Sequence, residues 1–181
     1  MGATLYINFT PYCEDPAQAL LAVQCGIIDE SFDVETVVQE QLDAARSSLI
    51  DVPDDDEYGL ADQYREEVEF LEGLAEKPLP ENDERKVAYI RAAYRFDECG
   101  MGNILDIRGV TEAQREFAAA PASPEAIQAI IGHVRPTAAE ARKIAFGLNE
   151  TLGRAECLYF HVYDDDNDAP TQICFVGNTV D

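Results

Sequence analysis

Strand-like alternation marks both ends of this chain, and helical periodicity fills most of what lies between. Leu5, Ile7 and Phe9 alternate with Thr4, Tyr6 and Asn8, the period of two that a half-buried strand requires. Cys157 to Tyr163 and Thr171 to Val176 are rich in aromatic and β-branched residues, and the run Asp164-Asp165-Asp166-Asn167-Asp168-Ala169-Pro170 separates them. That pattern reads as a hairpin with an acidic loop. Strands at opposite ends of a chain find partners most simply in one another. A chain of 181 residues buries about two-thirds of its unfolded surface, which is enough for one core. The expectation is a helix-rich single domain, 1–181, of α+β class. Its small, mainly antiparallel sheet is formed by the N-terminal strand and the C-terminal hairpin and is covered by helices.

Caps and apolar spacing place the helices. Asp15-Pro16 supplies an N-cap followed by proline at the first helical position, ahead of Ala19 to Val23, and predicts a short helix to about Cys25. Val34, Val38, Leu42, Ala45 and Leu49 line one helical face, and Leu60, Tyr64, Val68, Leu71 and Leu74 line a second; two neighbouring antiparallel helices follow. A further helix runs from Glu84 to about Cys99. Ile104 to Arg108 reads as a short strand. Thr111-x-x-Gln114 and Thr137-x-x-Glu140 match the capping box, and Ser123-Pro124 is another helix start. The domain thus divides into an acidic helical region (30–84), a near-neutral helical region (85–156) and the hairpin (157–177).

Charge separates these regions sharply. Met1 to Glu84 holds 22 acidic residues against Arg46, Arg65 and Lys77, a net charge of −19 out of −23 for the whole chain. Arg85 to Glu156 holds 9 acids and 10 bases, and Cys157 to Asp181 holds 5 acids and no base. Salt adaptation acidifies every exposed surface, so a neutral middle favours a specific acidic surface over that explanation. A one-sided field of this size steers association with a basic partner and repels nucleic acid and anionic membranes.

On the second acidic helix, Asp62, Glu66, Glu69, Glu72 and Glu76 recur at helical spacing. They form a stripe about 21 Å long with a carboxylate every ~5 Å. One DNA strand advances about 3.4 Å per phosphate, so the stripe alone is too sparse to imitate it. Glu35, Glu40 and Asp43 of the preceding helix, with Asp54, Asp55, Asp56 and Glu57 between the two, bring the density closer. Asp62 with Glu66, and Glu72 with Glu76, are like charges four residues apart and cost about 0.2–0.5 kcal/mol per pair. Tyr58 and Tyr64 are the aromatic residues suited to anchor such an interface. Arg85, Lys86, Arg91, Arg95, Arg135, Arg142, Lys143 and Arg154 read mainly as partners for the chain's own carboxylates. A second contact surface, and self-association into a homodimer, is the other reading.

Catalytic and metal signatures are lacking. Cys13, Cys25, Cys99, Cys157 and Cys174 contain no C-x-x-C pair, and His133 and His161 stand in no ligand spacing, so the thiols read as reduced and no zinc or other metal site is expected. Asp164, Asp166 and Asp168 imitate the start of a calcium loop, but Ala169 and Phe175 occupy the positions of its glycine and glutamate. Alternation puts Cys157, Tyr159, His161 and Tyr163 on one strand face with Cys174 on the partner strand; packing is the expected role. No phosphate loop or nucleophile elbow occurs. No stretch reaches the ~20 apolar residues of a membrane span, and the N-terminus lacks the basic-then-apolar pattern of a leader.

The functional expectation is a cytoplasmic, non-enzymatic protein without cofactor whose acidic face imitates nucleic acid. In size, acidity and lack of catalytic motif it is similar to anti-CRISPR and anti-restriction DNA mimics, which block the nucleic-acid channel of bacterial defence complexes. An immunity protein or antitoxin masking a basic nuclease toxin is the alternative, followed by a salt-adapted protein or an enzyme of other activity.

Overall fold

Five strands form one mixed sheet in the computed structural model of the chain, which describes residues 3–53, 56, 58–97, 100–164 and 168–179. In chain order the elements are β1 (Leu5–Pro11), α1 (Pro16–Ser31), α2 (Val37–Ile50), α3 (Leu60–Ala75), α4 (Asp83–Ala93), β2 (Gly109–Val110), β3 (Ala118–Pro121), α5 (Pro124–Ile131), α6 (Ala138–Asn149), β4 (Cys157–Tyr163) and β5 (Pro170–Asn178), with a 3-10 turn at Ile104–Asp106. The chain divides into two compact units, one of Met1–Gln24 with Glu98–Asp181 and the other of Cys25–Asp97.

The first unit holds the sheet, in the order β1-β5-β4-β3-β2. β1 and β4 flank β5 antiparallel, with Ile7 opposite Val176 and Phe160 opposite Cys174, so the ends of the chain do meet as their alternation implies. The sheet is mixed, however, and extends beyond those strands: β3 lies parallel to β4, and β2 parallel to β3. Ala118, Ala119 and Ala120 are buried, and a run buried on both faces shows no alternation from which to read a strand. The expected strand from Ile104 to Arg108 is instead the 3-10 turn. Ile104, Leu105 and Ile107 are fully buried, and the buried Gln24 amide donates to the carbonyls of Ile104 and Ile107 at 3.0 and 2.7 Å.

The expected helix after Thr111 is also absent. The Thr111 N–H donates to the Ala119 carbonyl, extending the β2–β3 ladder, and the Gln114 side chain reaches the Thr151 carbonyl and the Glu156 carboxylate. The other caps form as read. Ser123 accepts from the Ala126 N–H, and Thr137 and Glu140 close a capping box on α6. One sheet face, with Leu158, Phe160, Val162, Cys174 and Val176, packs against Ile127 of α5 and Ala141, Ile144, Ala145 and Leu148 of α6. α5 and α6 approach closely at Gly147, where a Cβ would fall 2.7 Å from Ile130 Cδ1. On the opposite face Tyr6 of β1 lies over Gly177, where a Cβ would meet the tyrosine hydroxyl at 2.2 Å.

The second unit is helical. Ile28, Val37, Val38, Leu42, Ala45, Leu71, Leu74, Val87, Ile90 and Ala93 are buried; α2 packs along α3, and α4 packs on both. Phe32 meets Tyr94 edge-on at 5.7 Å. α1 runs past the expected end at Cys25 because Ile27 and Ile28 continue its apolar pattern. α2 starts three residues later than its periodicity suggests, since the Asp33 carboxylate accepts from the Glu35 N–H and holds a turn there. α4 ends at Ala93, short of the expected Cys99, which lies outside the described residues.

Candidate protein-binding surfaces

The helical unit, 25–97, contains 21 acidic and 7 basic residues and so carries −14 of the chain's charge. Its helices hold the carboxylates outward because their apolar positions face the shared core. On α3, Leu71 and Leu74 are buried while Asp62, Glu66, Glu69 and Glu72 are exposed, as is Glu76 at the C-cap. Glu35, Glu40 and Asp43 are exposed as well. Arg46 of α2 reaches Glu72 at 2.6 Å and approaches Asp43 at 3.9 Å, and Arg65 pairs with Asp62. Among the described residues no ion pair involves Glu66, Glu69 or Glu76. Two nearly bare apolar side chains, Ile50 at the end of α2 and Tyr58 in the α2–α3 connection, are each 82% exposed; Tyr64 is half-buried.

Two carboxylates in this unit have structural tasks. Asp56 accepts from the N–H groups of Leu60 and Ala61 at 3.0 and 2.8 Å, capping α3, whose N-cap residue Gly59 has no side chain to do so. Those backbone bonds hold its carboxyl below the ordinary aspartate range. Glu67 is half-buried on the inward side of α3, and burial, with Asp97 adding repulsion, raises its pKa. Asp54, Asp55 and Glu57, three of the twelve residues expected on the partner surface, lie outside the described residues.

The basic residues of the middle region are partly engaged within the molecule. Lys86 pairs with Asp29 at 2.8 Å, and Arg135 bonds Asp168 at 2.8 Å while lying over the Tyr163 ring. Arg95 stacks on Phe70 and Phe96, an aromatic contact that a search for carboxylate partners does not find.

The β4–β5 register keeps Cys157 and Cys174 apart from His161. Cys174 sits opposite Phe160 and so projects to the α5–α6 side, whereas His161 sits opposite Ile173 on the other face. Cys157 shares the His161 face but lies about 13 Å along the strand. Burial pushes the Cys157 thiol up to about 12 and raises Cys174 as well, so neither is a thiolate nucleophile at neutral pH. Burial lowers the pKa of His161. In the hairpin loop, Asp168 faces Arg135 and Asp164 accepts from the Thr171 hydroxyl; Asp166 lies outside the described residues. No group of three or more His, Cys, Asp or Glu among the described residues is arranged to hold a metal, and no described helix is long and apolar enough to cross a membrane.

Sequence reading did not find the cleft beside the second half of β4. It has a volume of about 380 Å³ and is lined by Pro121, Ala122, Pro124, Ile127, Val134, Arg135, Tyr159, Phe160, His161 and Tyr163. It opens where β3 stops pairing, opposite Tyr159, and it closes at the bridge between Thr137 and Tyr163. The prolines at 121, 124 and 136 were the available signal, since each ends or offsets regular pairing. Compared with family models, curated proteins and solved structures, the chain matches none of them.

Proposed function

We propose that the chain is an acidic inhibitor that imitates nucleic acid and blocks the DNA- or RNA-binding surface of a bacterial defence complex, in the manner of anti-CRISPR or anti-restriction proteins. It acts by binding, without turnover or cofactor. The observation that carries this reading is the outward face of α3, where Glu66, Glu69 and Glu76 are exposed and have no ion pair among the described residues. A basic groove built for phosphates would supply their counter-charges. Tyr58 offers the aromatic anchor that an interface of carboxylates needs beside them. The concentration of −14 in one unit speaks against uniform salt adaptation. The field at the surface would speed encounter and make binding fall steeply with salt.

The test is capture of partners from bacterial lysate by the full chain at low and high salt, with mass spectrometry. A nucleic-acid-processing complex that salt releases and DNA displaces is the expected result. A single small toxin would favour the immunity-protein reading, and retention of nothing at low salt would overturn both.

A further inference from the structure

We propose that the cleft beside β4 binds a short extended peptide segment, which joins the sheet as an added strand at His161. The backbone of β4 alternates in direction. Asn178 N–H donates to the Glu156 carbonyl at 3.0 Å, which places even-numbered residues toward β5. Toward the other edge, Ala122 N–H donates to the Tyr159 carbonyl at 2.8 Å and Tyr163 N–H donates to the Pro136 carbonyl at 2.9 Å. His161 lies midway between these two bonds, so its N–H and C=O point to the same edge. Among the described residues no backbone hydrogen bond closes that gap, and the space in front of it is the cleft.

A strand edge with one free donor and one free acceptor is a template for another extended chain. The interval from Tyr159 to Tyr163 is about 13 Å, room for about three extended residues. The reciprocal pair, a C=O and an N–H presented in one plane, is what a peptide backbone offers. Pro121, Pro124, Ile127 and the rings of Tyr159 and Tyr163 give apolar walls, and among the described residues no carboxylate lines the cleft. The unit that holds the cleft carries −9 of the chain's charge, and Arg135 in the lining is already engaged by Asp168, so the segment is apolar and neutral or basic. This site is independent of the acidic face.

Two measurements on the full chain test the proposal. Hydrogen exchange read per amide should show the His161 N–H exchanging at least tenfold faster than those of Phe160 and Val162, which point to β5; equal protection overturns the open edge. Peptides selected from a random heptapeptide display library should slow His161 exchange at least tenfold. They should also lose at least tenfold affinity for Val134→Trp, which fills the cleft from a rim position that is 48% exposed. Circular dichroism checks that this variant is folded, and Val134→Phe serves if it is not. A library that yields no binder, or binders indifferent to the filled cleft, overturns the site.

Discussion

Gly177→Ala should be among the more damaging small substitutions in the chain, although it adds one methyl group. The new Cβ would lie 2.2 Å from the Tyr6 hydroxyl, 2.4 Å from Tyr6 Cζ and 2.8 Å from the Glu156 carbonyl oxygen. An ordinary contact needs more than 3.4 Å, so the Tyr6 ring must swing by about an ångström. It belongs to the strand paired with β5 at that position, Tyr6 opposite Gly177. Overpacking of this kind costs about 1–3 kcal/mol, while the entropy gained by replacing glycine returns about 0.5–1 kcal/mol. A net loss near 1–2 kcal/mol is expected in urea unfolding followed by circular dichroism. The Tyr6 hydroxyl has no nitrogen or oxygen partner and lies against the Cys157 thiol, so Tyr6→Phe should cost little and relieve part of the clash. Tyr6→Ala is costly alone but should cut the penalty of Gly177→Ala by at least about 0.5 kcal/mol, a coupling above the noise of independent sites. The Glu156 carbonyl keeps that penalty from vanishing. Additive effects of Tyr6→Ala and Gly177→Ala would mean that the two positions do not clash.

Two further predictions concern pH. Asp56→Ala should lower the melting temperature at pH 7 by removing the cap of α3. Because backbone bonds depress the Asp56 pKa in the fold, its stabilisation is present above the ordinary aspartate value near 4 and is lost as the pH falls through the folded value. The gap between wild type and variant should therefore close in acid, and a constant gap would contradict the capping role. Glu67 has the opposite sign: burial raises its folded pKa, so its charge is destabilising at neutral pH and the penalty disappears as it protonates. Glu67→Gln should raise the melting temperature at pH 7 and lose that advantage at acid pH; a lower value at pH 7 would count against it.

Most elements legible in the sequence have one wet face, while the final hairpin was legible from its aromatic and β-branched content although β5 is buried along most of its length. β1, α2, α3 and α6 alternate or repeat because half of each meets water, and the caps at Ser123 and Thr137 are local chemistry that needs no tertiary knowledge. What escaped was fixed from outside the segment. Ala118 to Ala120 became a strand through parallel pairing with β4, and Phe117, held at a positive φ of 58°, gives no warning of it. Ile104 to Ile107 was held as a turn by Gln24, eighty residues away in sequence. The acidic surface was legible as composition and spacing. That Asp56 caps a helix and that Glu67 turns inward were not, because both depend on where α3 begins and which way it rolls. Glu72 likewise reads as a free member of the stripe until Arg46 is found against it.

That last contact changes how the acidic surface should be tested. Reversing Glu72 would break an ion pair within the fold, so Glu66, Glu69 and Glu76 are the cleaner set. Asp62 precedes Glu66 by four residues and Glu72 precedes Glu76 by four. In each case a lysine at the second position replaces repulsion by the favourable acid-before-base order. Removing the repulsion and adding the attraction are each worth about 0.2–0.5 kcal/mol per pair. Glu76 also stands at the C-cap of α3, where the helix has no basic residue in its last turn and the macrodipole favours a cation. The triple variant E66K/E69K/E76K should therefore melt at least as high as wild type. Its association with a basic partner should slow by one or more orders of magnitude at low salt, converging with wild type as salt rises. Improved stability with lost binding is a combination that misfolding does not produce. A variant that melts lower would refute the electrostatic account of α3, and one that binds at the wild-type rate would remove this face from the proposed interface.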